Sequence, residues 1–116
     1  MKPCFAQIIN VTRNLPVANQ ATVARAPWAR LVGLLSRQLL MPGEGMIFPH
    51  CHAIHTFGMR FPIDVVFLKE ESVVKVVPAL APGHMAEARG ADTVIELPTG
   101  TATSAGIELG DKIHWG

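Results

Sequence analysis

The chain has 116 residues, 49% of them hydrophobic and 16% charged, with a formal net charge of +1. That is long and apolar enough for one domain with its own core, spanning 1–116, and argues against a disordered segment. Lys and Arg are scattered, Tyr is absent and aromatic residues make up only 6%, so no nucleic-acid partner and no anionic membrane surface are expected.

The first ten residues, Met1–Asn10, contain no long apolar segment, which predicts neither a signal peptide nor membrane insertion, and hence a cytoplasmic protein. Cys4 and Cys51 are the two cysteines. In a reducing compartment they are expected as free thiols rather than a disulfide.

Phe5 to Thr12, rich in Ile and Val, reads as a first strand. Asn14 to Asn19, with Pro16, reads as turn and loop. Thr22 to about Val32 reads as the main helix, with Thr22 as cap or Pro27 as its true start. Trp28, Leu31 and Leu35 fall on one apolar stripe of it, and Gly33 would end it or allow close packing. After the Pro42-Gly43 turn, Gly45 to Phe48 is a short strand, and Pro49 to Thr56 is a loop or edge strand.

Phe57 to Leu68 is the clearest strand signal. Ile63, Val65 and Phe67 would point to one face and Asp64, Val66 and Leu68 to the other, so both faces should be covered. Lys69 to Ser72 reads as a hairpin turn, Val73 to Ala79 as the returning strand and Gly83 to Asp92 as a polar connection. Thr93 to Leu97 is a further strand, Thr99 to Ala105 a short helix capped by Thr99 or Thr101, Gly106 to Gly110 a turn, and Lys112 to Trp115 a last strand. The pattern has no βα alternation. It predicts an α+β class: a mostly antiparallel, partly barrel-like sheet with one main helix and one short helix.

Three pieces stand in order: Gly33-Leu-Leu with Gly45-Met-Ile-Phe48, then Phe57-Gly-Met-Arg-Phe-Pro-Ile-Asp-Val-Val-Phe67, then Val94-Ile-Glu-Leu-Pro-Thr-Gly100 with Gly106-Ile-Glu-Leu-Gly-Asp111. Over about residues 20–116 this set resembles the prokaryotic domain-of-unknown-function family numbered one-nine-two. The resemblance implies a compact, largely β fold and brings no established reaction. Many relatives carry an export or lipid-anchor signal, and others have Trp where this chain has Gly58.

Asp64 and Glu96 are carboxylates set between aliphatic neighbours, where an unpaired charge is costly. If they converged, one could be raised in pKa and act as acid or base. The structural alternative, which is favoured, pairs them with Arg60 or Arg89 or with backbone N–H groups. A cleft around Asp64, with Arg60, His55 and Glu96, is the candidate site. His50, Cys51, His52 and His55 are metal-ligand types in one stretch, but no second paired motif completes a coordination shell, though His84 could join, and a polar loop without metal is the favoured reading. Cys51 as a nucleophile lacks supporting context. Asp111 after Gly110 reads as a turn residue. No cofactor is implied. Two functions remain: a binding or accessory module for a small ligand, peptide or partner protein, which is preferred, and a small hydrolase-type enzyme using Asp64, Glu96 and a histidine, with or without metal.

Overall fold

The computed structural model describes residues 5–24 and 40–116. At its centre is β5, Ile63–Lys69, in which every residue but the last is buried. Ile63, Val65 and Phe67 join one apolar cluster and Val66 and Leu68 the other, so the strand is covered on both faces, as its two-residue alternation predicts.

The other strands are β1 (Ala6–Asn10), β2 (Leu15–Val23), β3 (Glu44–Pro49), β4 (Ala53–His55), β6 (Ser72–Leu80), β7 (Met85–Glu87), β8 (Thr93–Pro98) and β9 (Ile113–Trp115). Seven of them form one sheet in the order β6-β5-β8-β3-β2-β1-β9, and β4 and β7 form a separate antiparallel ribbon. Among the described residues of the large sheet, β2–β3 is the one parallel pair.

The sheet curls until its two edge strands touch. Ser72 bridges Lys112, the Val73 amide donates to the Asp111 carbonyl, and the Ile113 amide donates to the Glu71 carbonyl. The result is a half-barrel closed at one end. Its interior holds Ile8, Val17, Ala21, Ile47, Val66, Leu68, Ile95, Leu97 and Ile113. A single helical turn, α1 (Thr101–Ser104), plugs it with Ala102 and is followed by Ala105 and Ile107 in the same cluster. Gly45 allows β3 to press inward: a Cβ there would lie 3.2 Å from Leu97 Cδ2 and 3.3 Å from the Glu96 carbonyl oxygen. The outer face of β3, β8 and β5 carries a second cluster of Met46, Phe48, Phe61, Ile63, Val65, Phe67 and Val94, onto which the β4–β7 ribbon lays Ile54 and Ala86.

This architecture corrects the expected α+β class. The described chain is mostly β, and its helix is the four-residue α1 rather than a main helix with a smaller companion. Thr22, expected as a helix cap, is a strand residue in register with Met46, as the β-branched Thr22-Val23 pair favours. The stripe Trp28, Leu31 and Leu35, with Pro27 and Gly33, lies outside the described residues.

The segment Leu15–Asn19, expected as loop, is the first half of β2. Pro16 is tolerated because β2 pairs with β3 only from Gln20 onward, so its missing N–H faces no ladder on that side. The polar connection from Gly83 to Asp92 contains β7. Cys51 is a free thiol, and Cys4 lies outside the described residues.

Candidate functional site

Asp64 is 1% exposed, on the barrel-interior side of β5. A bulge in β6 lies beside it: Ile63 is opposite Leu80 but Val65 is opposite Val77, which leaves an extra residue at Pro78-Ala79. Ala79 there has φ 48°, and its amide donates to Asp64 Oδ1 at 2.9 Å. The other oxygen, Oδ2, accepts the amides of Gly100 at 3.0 Å and Ala102 at 2.9 Å. Gly100 is the N-cap of α1, with φ 94°, and has no side chain to satisfy the first amides of the turn. Asp64 supplies that cap from 36 residues away, which ties β5, the β6 bulge and α1 together.

Glu96 is a different kind of residue. It is 4% exposed, and among the described residues its side chain has no hydrogen-bond or ion-pair partner. In register it lies between Met46 on β3 and Val65 on β5, both buried and apolar. Burial alone lifts its carboxyl from 4.5 to about 8, so at neutral pH it holds its proton. A buried polar group left without a partner is uncommon in folded proteins and asks for a reason.

Asp64 and Glu96 do not converge. Asp64 is opposite Leu97 of the barrel interior, whereas Glu96 is opposite Val65 of the outer cluster, so the two carboxyls project from opposite faces of the sheet. Arg60 and Arg89 are exposed and bond to neither. His55 is exposed on β4, stacked on Phe57 with ring centroids 5.0 Å apart, and its Nδ1 accepts the Phe57 amide. His50 and His52 are exposed in the β3–β4 loop, and Cys51 between them directs Sγ to the Ala53 carbonyl at 3.0 Å. His84 turns Nδ1 to the carbonyls of Ala81 and Pro82. Among the described residues, no three His, Cys, Asp or Glu side chains stand close enough together to hold a metal ion.

A polar hub that sequence reasoning missed lies across the barrel. Asp111, read as a turn residue, is buried, and its Oδ2 accepts from Asn10 Nδ2 at 3.0 Å, Arg13 Nε at 2.9 Å and the Glu108 amide at 3.1 Å. Asn10 is fully buried and donates also to the Ala105 carbonyl. The Arg13 bond outweighs burial and holds the Asp111 carboxyl below its ordinary range. The sequence signal for this hub was the closing Gly110-Asp111 pair of the family pattern.

The sequence profile of the DUF192 family, described as an uncharacterised ACR, matches residues 8–115. The chain belongs to that family. A UPF0127 protein of Pyrococcus abyssi is 31% identical over 115 residues, covering 93% of this chain and 96% of its own length. A second UPF0127 protein, from Pyrococcus furiosus, is 27% identical over the same span, with 93% and 97% covered. The crystal structure of a protein of unknown function from Novosphingobium aromaticivorans superposes with a TM-score of 0.80 at 22% identity, covering 99% of this chain and 94% of that one. At that identity the likeness extends to the fold. The motif that carries the DUF192 resemblance includes both carboxyls, Asp64 within Pro-Ile-Asp and Glu96 within Glu-Leu-Pro-Thr-Gly. No helix among the described residues is long and apolar enough to cross a membrane.

Proposed function

We propose that this chain is a small binding module whose site lies on the outer face of β3, β8 and β5, centred on Glu96. The observation that carries this reading is a nearly sealed carboxyl with no partner among the described residues. A purely structural carboxylate would be expected to look like Asp64, with its oxygens satisfied by the chain itself. Glu96 instead keeps its hydrogen-bonding capacity unused among apolar side chains, and a lone polar group in apolar surroundings is what orients a bound small molecule. A cytoplasmic setting fits the free thiol of Cys51.

The hydrolase-type alternative needs two carboxyls working on one substrate, and the opposed faces of Asp64 and Glu96 speak against that arrangement. The binding reading is tested by native mass spectrometry of protein purified under gentle conditions, with and without Glu96→Leu. A small-molecule adduct on the wild type that is lost from the folded variant supports it. Identical, adduct-free spectra from the two proteins contradict it.

A further inference from the structure

We infer that the group taken by the Glu96 site is an uncharged carboxamide at the end of an apolar tail. This rests on the binding reading above and adds the chemistry of the ligand. A protonated carboxyl offers one O–H donor and one carbonyl acceptor side by side. A primary amide presents the complementary N–H and C=O in the same spacing, so two hydrogen bonds would satisfy both partners.

The surroundings argue against a cationic ligand. Glu96 sits between Met46 and Val65, with Val94 two residues along the same strand face and Phe48 beyond Met46. Pairing an ion there would require Glu96 to give up its proton in a layer with little to solvate either charge. Two charged groups on this face among the described residues, Glu44 and Lys75, are engaged elsewhere. Glu44, next but one to Met46, accepts the Met41 amide through Oε1 at 2.8 Å. Lys75 donates to the Glu87 carbonyl at 2.8 Å, with its Nζ 5.9 Å from the centre of the Phe67 ring.

The same row of the sheet runs from Glu96 toward an exposed residue. Met46 is flanked by Glu96 on one side and by Thr22 of β2 on the other, and Thr22 is exposed. Two strand spacings, about 10 Å, separate Glu96 from Thr22 in that row. Met46 is the side chain between them, and a thioether with three rotatable bonds can repack to admit a narrow tail.

The test uses octanamide and octylamine as probes, with binding followed on the methyl NMR signals of Met46 and Val65. The wild type at about pH 7 is expected to bind octanamide at least about tenfold more tightly than octylamine, and to lose at least about tenfold of that affinity at about pH 9.5, where Glu96 has surrendered its donor proton. Glu96→Gln keeps a donor and an acceptor but cannot titrate, so it should bind octanamide at both pH values. Glu96→Leu should bind neither probe, and if that variant does not fold, Glu96→Gln decides alone. Octylamine binding as well as octanamide, or loss of octanamide binding in Glu96→Gln, overturns the carboxamide inference while leaving a binding site at Glu96 in place. Failure of both probes to move the Met46 and Val65 signals overturns the inference and the binding reading together.

Discussion

Asp64 and Glu96 occupy adjacent strands one step out of register, Asp64 opposite Leu97 and Glu96 opposite Val65, and so face away from each other through the sheet. One carboxyl accepts three backbone amides; the other has no partner among the described residues. The same residue chemistry, placed on either side of one β-ladder, yields a structural joint on the inside and, among the described residues, an unpartnered carboxyl on the outside.

The joint predicts a specific loss. Asp64→Asn keeps the shape but sets a donor N–H₂ against the amides of Gly100 and Ala102 or of Ala79. Stability should fall by about 1–3 kcal/mol, read from urea denaturation at neutral pH. An unchanged midpoint would mean that the α1 cap and the β6 bulge stand without it.

Glu96 predicts a pH dependence of definite sign. Its carboxyl is raised from 4.5 to about 8 in the folded protein, so between those values the native state holds a proton that the unfolded chain has released. Stability therefore declines as pH rises through that window, by up to about 1.4 kcal/mol per unit, and levels off above it. Glu96→Gln removes this slope. Urea midpoints of the two proteins should converge near pH 4.5 and separate steadily toward about pH 8, the variant being the more stable. A constant gap across the range would show that Glu96 is not held neutral.

The hub on the far side has the opposite sign. Asp111 is lowered, chiefly by its hydrogen bond from Arg13, so its contribution is present above its ordinary value of 3.8 and lost as pH falls through its folded value below that. Arg13→Gln should lower the melting midpoint at neutral pH. The difference from wild type should shrink as pH drops below 3.8. A difference that persists undiminished in acid would assign the effect to packing of the Arg13 stem instead.

How much of this was legible depended on whether the deciding interaction was local. The alternation of Ile63 to Leu68 announced a strand covered on both faces, because period-two burial is written in adjacent residues. The strangeness of Asp64 and Glu96 was equally visible. What could not be read was which amides Asp64 would find, since the Gly100 and Ala102 donors lie 36 and 38 residues downstream. Pro16 and its flanking asparagines read as a turn because the residue types favour one, but β2 lacks a β3 partner until Gln20, and this makes Pro16 harmless in a strand. Asp111 carried the signature of a turn residue and is also a buried acceptor, a role set by Asn10 and Arg13 about a hundred residues upstream.

Gly45 offers a further check on the packing between the faces. Gly45→Ala would bring a methyl to 3.2 Å from Leu97 Cδ2 and 3.3 Å from the Glu96 carbonyl, which belongs to strand backbone that cannot move freely. A net loss of about 1–2 kcal/mol is expected, overpacking exceeding the gain from a less flexible unfolded chain. A neutral or stabilising outcome would show that β3 and β8 can separate more easily than their buried register suggests.

Whether the Glu96 carboxyl, without a partner among the described residues, is protonated at neutral pH is read directly from its own titration, followed through the carbon-13 shift of the side-chain carboxyl with Glu96→Gln used to assign the signal. A midpoint near 8 is expected. A midpoint at the ordinary value of 4.5 would contradict it, since the carboxyl would then be ionised and solvated or paired, and the outer face of the sheet would lose its candidate site.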